Sequence, residues 1–220
     1  MSALKIYSVN PSTLPELVQA TLFQQPESIA LPGADIRYWP AWVDAGMANR
    51  WMQNLCEQIE WSRHRVRIFG KEHESPRWSA WVGDANAVYR YSGVCYQPDP
   101  WSDCLLEIRQ LLKETRECIF NSVLLNRYCD GAHSMGWHSD DEPELGPRPV
   151  IASISLGATR RFRFRSRTQP RSSTYIDLAH GSLLLMGGQT QALYQHALAK
   201  TQRPVGERIN LTFRQIFPHP

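Results

Sequence analysis

The sequence predicts a mainly β fold of the α+β class, a sandwich or jelly roll with helices packed on one side. Two observations predict it. Two stretches with helical spacing fall before residue 120. After Asn121 nearly every segment carries β-type residues bounded by turn signals. With 220 residues the chain suits one domain, 1–220, and can bury a full core.

Residues 1–35 hold scattered Pro and Gly and few periodic signals. In "DAGMANRWMQNLCEQIEW", Met47, Trp51, Leu55 and Ile59 recur at helical spacing and Asp44 can cap the first turn. "HRVRIFGKEHESPRWSAWVGDANAVYRYSG" reads as short strands and hairpins broken by Gly and Pro. "WSDCLLEIRQLLKETRECI" is a second helix, with Leu105, Ile108, Leu111 and Leu112 on one face and Ser102 or Asp103 near its cap. Strands are then expected at "SVLLNRY", "VIASISLG", "RRFRFRS", "TYIDL", "SLLLMGG" and "RINLTFRQIF". The β core is expected over about 119–217, preceded by a helix and a hairpin region over about 36–100.

No apolar run approaches the ~20 residues that span a bilayer, and the first ten residues lack the apolar core of a secretory signal. A cytoplasmic, nucleoid-associated or nuclear monomer is expected, with no membrane partner. Five cysteines without a CxxC pair read as free thiols. The net charge of +3 permits a nucleic-acid partner without arguing for one.

"MGWHSDDE" packs a Trp, a His and three carboxylates into eight residues. On a strand, residues i and i+2 share a face, so His138 and Asp140 can present imidazole and carboxylate together. His196, in "LYQHALAK", follows the strand "SLLLMGG" and is the best third ligand. Two His and a carboxylate on one face match the facial triad of non-haem Fe(II) oxygenases. Zinc or manganese can use the same set, and a solvated acidic loop looks similar. The last strand adds weight. Ile209, Leu211 and Phe213 face one way, and Arg208, Asn210, Thr212 and Arg214 the other. Two guanidiniums with an amide suit a pocket that takes a dicarboxylate by fork-like pairing. In "SVLLNRY", Asn126 and Tyr128 likewise share one face, opposite Val123 and Leu125.

"NRYCDGAHSMGWHSDDEPELG", "IASISLGATRRFRFR", "HGSLLLMGGQTQ", "QH" and "RINLTFR" together resemble the AlkB family of Fe(II)/2-oxoglutarate-dependent nucleic-acid demethylases, closest to its DNA-alkylation-repair branches. The resemblance runs from about Arg65 to Phe217. It implies a double-stranded β-helix with a nucleotide-recognition lid, and Fe(II), 2-oxoglutarate and O2 as cofactor and co-substrates. It implies His138, Asp140 and His196 on iron. Around 2-oxoglutarate it implies Asn126, Tyr128, Arg208, Asn210, Thr212 and Arg214, with Arg208 on the far carboxylate and Arg214 near Asp140 as part of the catalytic set. Asp141 and Glu142 are implied beside the damaged base or its Arg partners. The implied reaction oxidises an N-methyl group of 1-methyladenine or 3-methylcytosine and releases formaldehyde. Tyr194, Ala199 and Glu207 depart from the family's usual Trp, Pro and Pro; none of them is an implied ligand.

"RRFRFRSRTQPR" puts Arg161, Arg163, Arg165 and Arg167 on one strand face with Phe162 and Phe164 on the other. An all-Arg face without acids fits a phosphate backbone better than a merely solubilising face, so DNA, or RNA, is the expected partner. The lid region offers Ile68, Phe69, Arg77, Tyr89, Tyr91 and Ser92 for the substrate. Phe69, before Gly70, is expected at a hairpin tip, either as a wedge that fills the gap of a flipped base or folded back onto the core. Tyr89 and Tyr91 serve either as a cage for that base or as core. Two rival functions share much of this pattern: an RNA demethylase or protein hydroxylase of the same fold, and a non-catalytic nucleic-acid-binding module.

Overall fold

The structure is a computed structural model that describes residues 24–217 except 64, 69–70 and 92–93; it describes the backbone alone at 65–68, 71–73, 89–91 and 94–96. The strands are β1 (Glu27–Ser28), β2 (Ala34–Trp39), β3 (Arg65–Ile68), β4 (Lys71–Glu74), β5 (Trp78–Gly83), β6 (Tyr89–Tyr91), β7 (Val94–Tyr96), β8 (Ser122–Tyr128), β9 (Met135–His138), β10 (Ile151–Gly157), β11 (Arg160–Ser166), β12 (Ser173–Leu178), β13 (Ser182–Gly188), β14 (Tyr194–Leu198) and β15 (Arg208–Arg214). Helix α1 spans Ala45–Gln58, α2 spans Asp103–Arg116, and one short turn of helix, α3, spans Thr190–Leu193. A seven-stranded sheet in the order β1-β2-β13-β10-β15-β8-β5 faces a four-stranded sheet in the order β12-β11-β14-β9. All the pairings are antiparallel, as a jelly roll requires. The large sheet takes β2 and β5 from residues ahead of 119, so the β core is wider than 119–217.

Both helices start where a side chain caps them. Asp44 accepts from the Met47 amide at 2.9 Å and Ser102 from the Leu105 amide at 3.4 Å. Their apolar stripes, including Trp51 and Leu55 on α1 and Leu105, Ile108 and Leu112 on α2, pack on one face of the large sheet with Leu125, Ile154, Leu185, Leu211 and Phe213. The opposite face looks toward the small sheet. There Ile36, Tyr38, Leu184 and Met186 meet Phe164 and Leu178 in a second cluster. The large sheet is covered on both faces. Its strands β10, β13 and β15 are therefore buried almost without interruption, where a one-sided sheet would alternate.

The hairpins β3–β4 and β6–β7 lie where the lid was expected. Among the described residues no helix is long and apolar enough to cross a membrane. Cys56, Cys104, Cys118 and Cys129 are free thiols.

Candidate metal and co-substrate site

Between the two sheets lies a cavity lined by residues of both. On the small-sheet side, β14 points His196 inward and β9 points His138 inward, and the two residues are paired in register. Asp140 was expected on the same strand as His138. Instead β9 ends at His138, and Asp140 sits in the loop just beyond it. The bend still delivers its carboxylate: ligand atoms of His138, Asp140 and His196 all lie within 4.8 Å of one another. The two Nε2 atoms are 3.1 Å apart, and His196 Nε2 is 3.7 Å from Asp140 Oδ2. Adjacent ligands about 2.1 Å from one ion would be separated by about 3 Å, so the trio needs only a small closure to hold a metal.

Protonation suits that role. His138 Nδ1 donates to the Gly136 carbonyl at 2.8 Å, which leaves the Nε2 lone pair for a metal. Burial pulls His196 down to about 3 against the pull of Asp140, so its imidazole is neutral near pH 7. Burial pushes the Asp140 carboxyl up, but Arg214, His196 and His138 outweigh it and hold the carboxyl below its ordinary value. Arg214 bonds Asp140 Oδ1 directly.

Backbone pairing also holds the triad. The Asp140 amide donates to Gln191 Oε1 at 3.0 Å, and Ser139 Oγ donates to the Tyr194 carbonyl at 2.9 Å. Gln191 is buried and belongs to α3, the turn that leads into the His196 strand. These two bonds tie the loop that carries Asp140 to the segment that carries His196. No residue pattern pointed to Gln191, because its partner is a backbone amide 51 residues away.

The opposite wall is the polar face of the large sheet. Register aligns Arg208 with Tyr128, Asn210 with Asn126 and Ser155, and Thr212 with Ser153. Arg208 is 1% exposed and donates to Ser155 Oγ at 2.8 Å and to Asn210 Oδ1 at 2.6 Å, while its Nε has no partner. Burial pulls it down to about 10, so it stays charged at neutral pH. No salt bridge joins Arg208 to a carboxylate among the described residues. A fully buried cation with only neutral partners fits an anionic ligand that the chain itself does not supply. Asn126 Oδ1 accepts from Arg77 Nε at 2.7 Å and from Ser79 Oγ at 3.3 Å, which turns its amide nitrogen toward the cavity. Asn210 Nδ2 donates to Thr212 Oγ1 at 2.9 Å. The donor set therefore fits both groups: two imidazoles and a carboxylate for a divalent ion, and Arg208 for the far end of a dicarboxylate. Ser153 and Ser155 share this face and were legible in the alternation of "IASISLG", where a Ser in a buried strand invites no attention.

The residues expected on the substrate are placed unevenly. Arg77 turns to Asn126, donating to its Oδ1 from behind the cavity lining. Asp141 bonds Arg167, whose Nε lies 3.3 Å from Ser139 Oγ. Glu142 Oε2 is buried with no partner among the described residues, and burial pushes its carboxyl up against the pull of Arg214. Neither Asp141 nor Glu142 lines the cavity.

The Arg face carries acids after all, from outside its own segment. Asp177 on β12 pairs with Arg161 at 2.9 Å, and Asp141 pairs with Arg167. Arg163 donates to Ser173 Oγ and Arg165 to Gln195 Oε1. Arg160 is buried and donates to the carbonyls of Asp130, His133 and Ala199, tying two loops together. Phe69 and Ser92 lie outside the described residues, as do the side chains of Ile68, Tyr89 and Tyr91.

Comparison with known proteins agrees with this geometry. The profile of the 2OG-Fe(II) oxygenase superfamily matches residues 35–214. Alpha-ketoglutarate-dependent dioxygenase alkB homolog 3 of Mus musculus is 38% identical over 191 residues, which cover 83% of this chain and 66% of that protein. DNA oxidative demethylase ALKBH2 of Mus musculus is 40% identical over 181 residues, covering 78% of this chain and 76% of that protein. This chain spans just under two thirds of the length of the alkB homolog 3 relatives that it matches. The solved structure described as "The structure of OsALKBH1" superposes with a TM-score of 0.62 at 15% identity, over 86% of this chain and 99% of that one, a likeness of fold alone. The chain belongs to the 2OG-Fe(II) oxygenase superfamily, among its AlkB homologues.

Proposed function

We propose that the chain oxidatively demethylates N-alkylated bases in DNA, with 1-methyladenine and 3-methylcytosine as its substrates. The observation that carries this reading is the pairing of the His138–Asp140–His196 cluster with a buried, carboxylate-free Arg208 across one cavity. Bound iron, with 2-oxoglutarate and O2, supplies the oxidising power that hydroxylates the N-methyl group, and the resulting hemiaminal releases formaldehyde.

The chain's own residues bind and orient. Arg208 takes the far carboxylate, and Asn126, with Tyr128, Asn210 and Thr212, lines the path to the metal. Arg214 keeps Asp140 ionised and aimed. The two hairpins ahead of α2 are the elements that receive the flipped base. The names of the relatives, which include DNA oxidative demethylases, support DNA over RNA.

The test is formaldehyde and succinate release on a panel of methylated single- and double-stranded DNA and RNA. Turnover on DNA is expected, and it should vanish in Asp140→Ala while the circular dichroism spectrum stays as in the wild type. Near-wild-type turnover in Asp140→Ala, or turnover on no nucleic acid at all, would sink the reading.

A further inference from the structure

A second groove lies back to back with the cavity, on the outer face of the small sheet. Met135 and Leu198 line both. The outer groove is bounded by Trp137, Arg163, Lys200, Ala197 and Ala199. Strand alternation puts these residues there. His138 and His196 turn inward as ligands, so Trp137 and Ala197 turn outward. Arg163 is paired in register with Ala197, and both line the groove with Trp137.

Trp137 is only half-buried and belongs to neither apolar cluster. Its ring is held by Arg165, whose guanidinium stacks 4.3 Å from the ring centroid while donating to Gln195 Oε1. A large aromatic ring with no core duty sits beside two exposed cations, Arg163 and Lys200. No carboxylate lines the groove. A flat ring for a base next to cations for a phosphate is the composition of a single-strand nucleic-acid site. Topology adds a route. β9 is the edge strand of its sheet and only four residues long. A polynucleotide that rounds this edge has one base on the cavity side and its neighbour on the Trp137 side.

We propose that this outer groove is a nucleotide subsite for single-stranded DNA: Trp137 stacks the base next to the lesion, and Arg163 and Lys200 take its phosphate. The proposal rests on the demethylase reading. It also gives the site a strand preference, because in a duplex the neighbouring base stays paired and stacked and cannot turn onto Trp137.

The experiment measures binding of the full chain to unmodified oligo-dT, to the same oligomer carrying abasic positions, and to a duplex. Trp137→Leu should weaken binding to oligo-dT by about 5- to 100-fold, and erase the wild type's preference for oligo-dT over the abasic oligomer. Trp137→Phe should keep most of the affinity. Duplex binding and Mn(II) binding to the metal-free protein should change less than twofold in both variants. Lys200→Ala, an exposed change that leaves the fold alone, should cost several-fold on the single strand with a shallower salt dependence. Wild-type oligo-dT affinity in Trp137→Leu, an equal loss on duplex, or an unchanged Lys200→Ala would each overturn the subsite. A wild type that binds strands through Trp137 but demethylates none of them would overturn the demethylase reading and leave the groove standing.

Discussion

Replacing Arg208 by Met should barely change the stability of the ligand-free protein and should abolish the stabilisation that 2-oxoglutarate confers. A guanidinium pulled from 12.5 down to about 10 by burial holds its proton less tightly by about 3 kcal/mol. Methionine removes that penalty and roughly fills the space. Against this, Ser155 Oγ and Asn210 Oδ1 lose the donor they share, at about 1–3 kcal/mol for each buried group left unsatisfied. The opposing effects nearly cancel, so the ligand-free Tm should stay within about 4 °C, at about 2–4 °C per kcal/mol for a chain of this size. The co-substrate behaves differently. With Mn(II) in place of iron to prevent turnover, 2-oxoglutarate at a hundred times its Kd adds about 2.7 kcal/mol to the wild type. That raises its Tm by about 5–10 °C. Arg208→Met should show no such rise, and Arg208→Lys, which keeps the charge but loses the fork, only part of it. The assay is a thermal melt with and without ligand. If Arg208 is instead a structural strut, its loss should cost about 3–5 kcal/mol, drop the ligand-free Tm by more than about 6 °C, and leave the ligand shift in place. That outcome would refute the reasoning.

Three other changes test other parts of the site. Gln191→Leu leaves the Asp140 amide without an acceptor and should weaken Mn(II) binding by about 10- to 100-fold, as losses in the shell behind metal ligands do; wild-type affinity by titration would remove Gln191 from the metal site. Arg163→Ala should flatten the salt dependence of single-strand binding by about 0.7 in log–log slope, the share of one phosphate contact; an unchanged slope returns Arg163 to the solvated surface. For the metal-free protein, His196 stays neutral down to about 3 when folded, whereas in the unfolded chain it takes up a proton near its ordinary 6.5. The unfolded state thus binds more protons below that pH, and stability should fall from pH 7 toward pH 5 by up to about 1.4 kcal/mol per unit from this group. Denaturant melts of His196→Gln should lack that share of the slope.

Much of the site was legible because strands write their two faces in alternation. "RINLTFR" separates Arg208, Asn210, Thr212 and Arg214 from Ile209, Leu211 and Phe213, and all seven residues are buried as that division requires. The triad was legible as residue types at suitable spacing, though Asp140 reaches the metal site from a loop. What escaped was contact between distant segments. Asp177 and Asp141 neutralise Arg161 and Arg167 from other elements, so a run of arginines in one segment overstated the charge of the face. Arg77 reaches Asn126 because β5 pairs with β8 and brings its neighbourhood against that residue. β2 joins the large sheet through Ile36 and Tyr38, whose alternation lies in a stretch too short to stand out from an irregular N-terminal region.

The polar inner face has an energetic condition that the helices meet. β8, β10 and β15 give one side of the sheet to Asn126, Ser153, Ser155, Arg208, Asn210, Thr212 and Arg214, which contribute little apolar burial. Burying the Arg208 charge alone costs about 3 kcal/mol by the shift above. On the opposite face of the same strand, Leu211 and Phe213 are completely buried under α1 and α2, each worth about 1.5–3 kcal/mol. Those two neighbours offset Arg208 on their own, and Ile209, Leu125, Ile154 and Leu156 cover the rest of the polar wall in the same way. A jelly roll with both faces solvated could not hold a buried, unpaired guanidinium. With α1 and α2 capped, amphipathic and packed on the far side, the sheet can give its near side to polar groups without losing its fold.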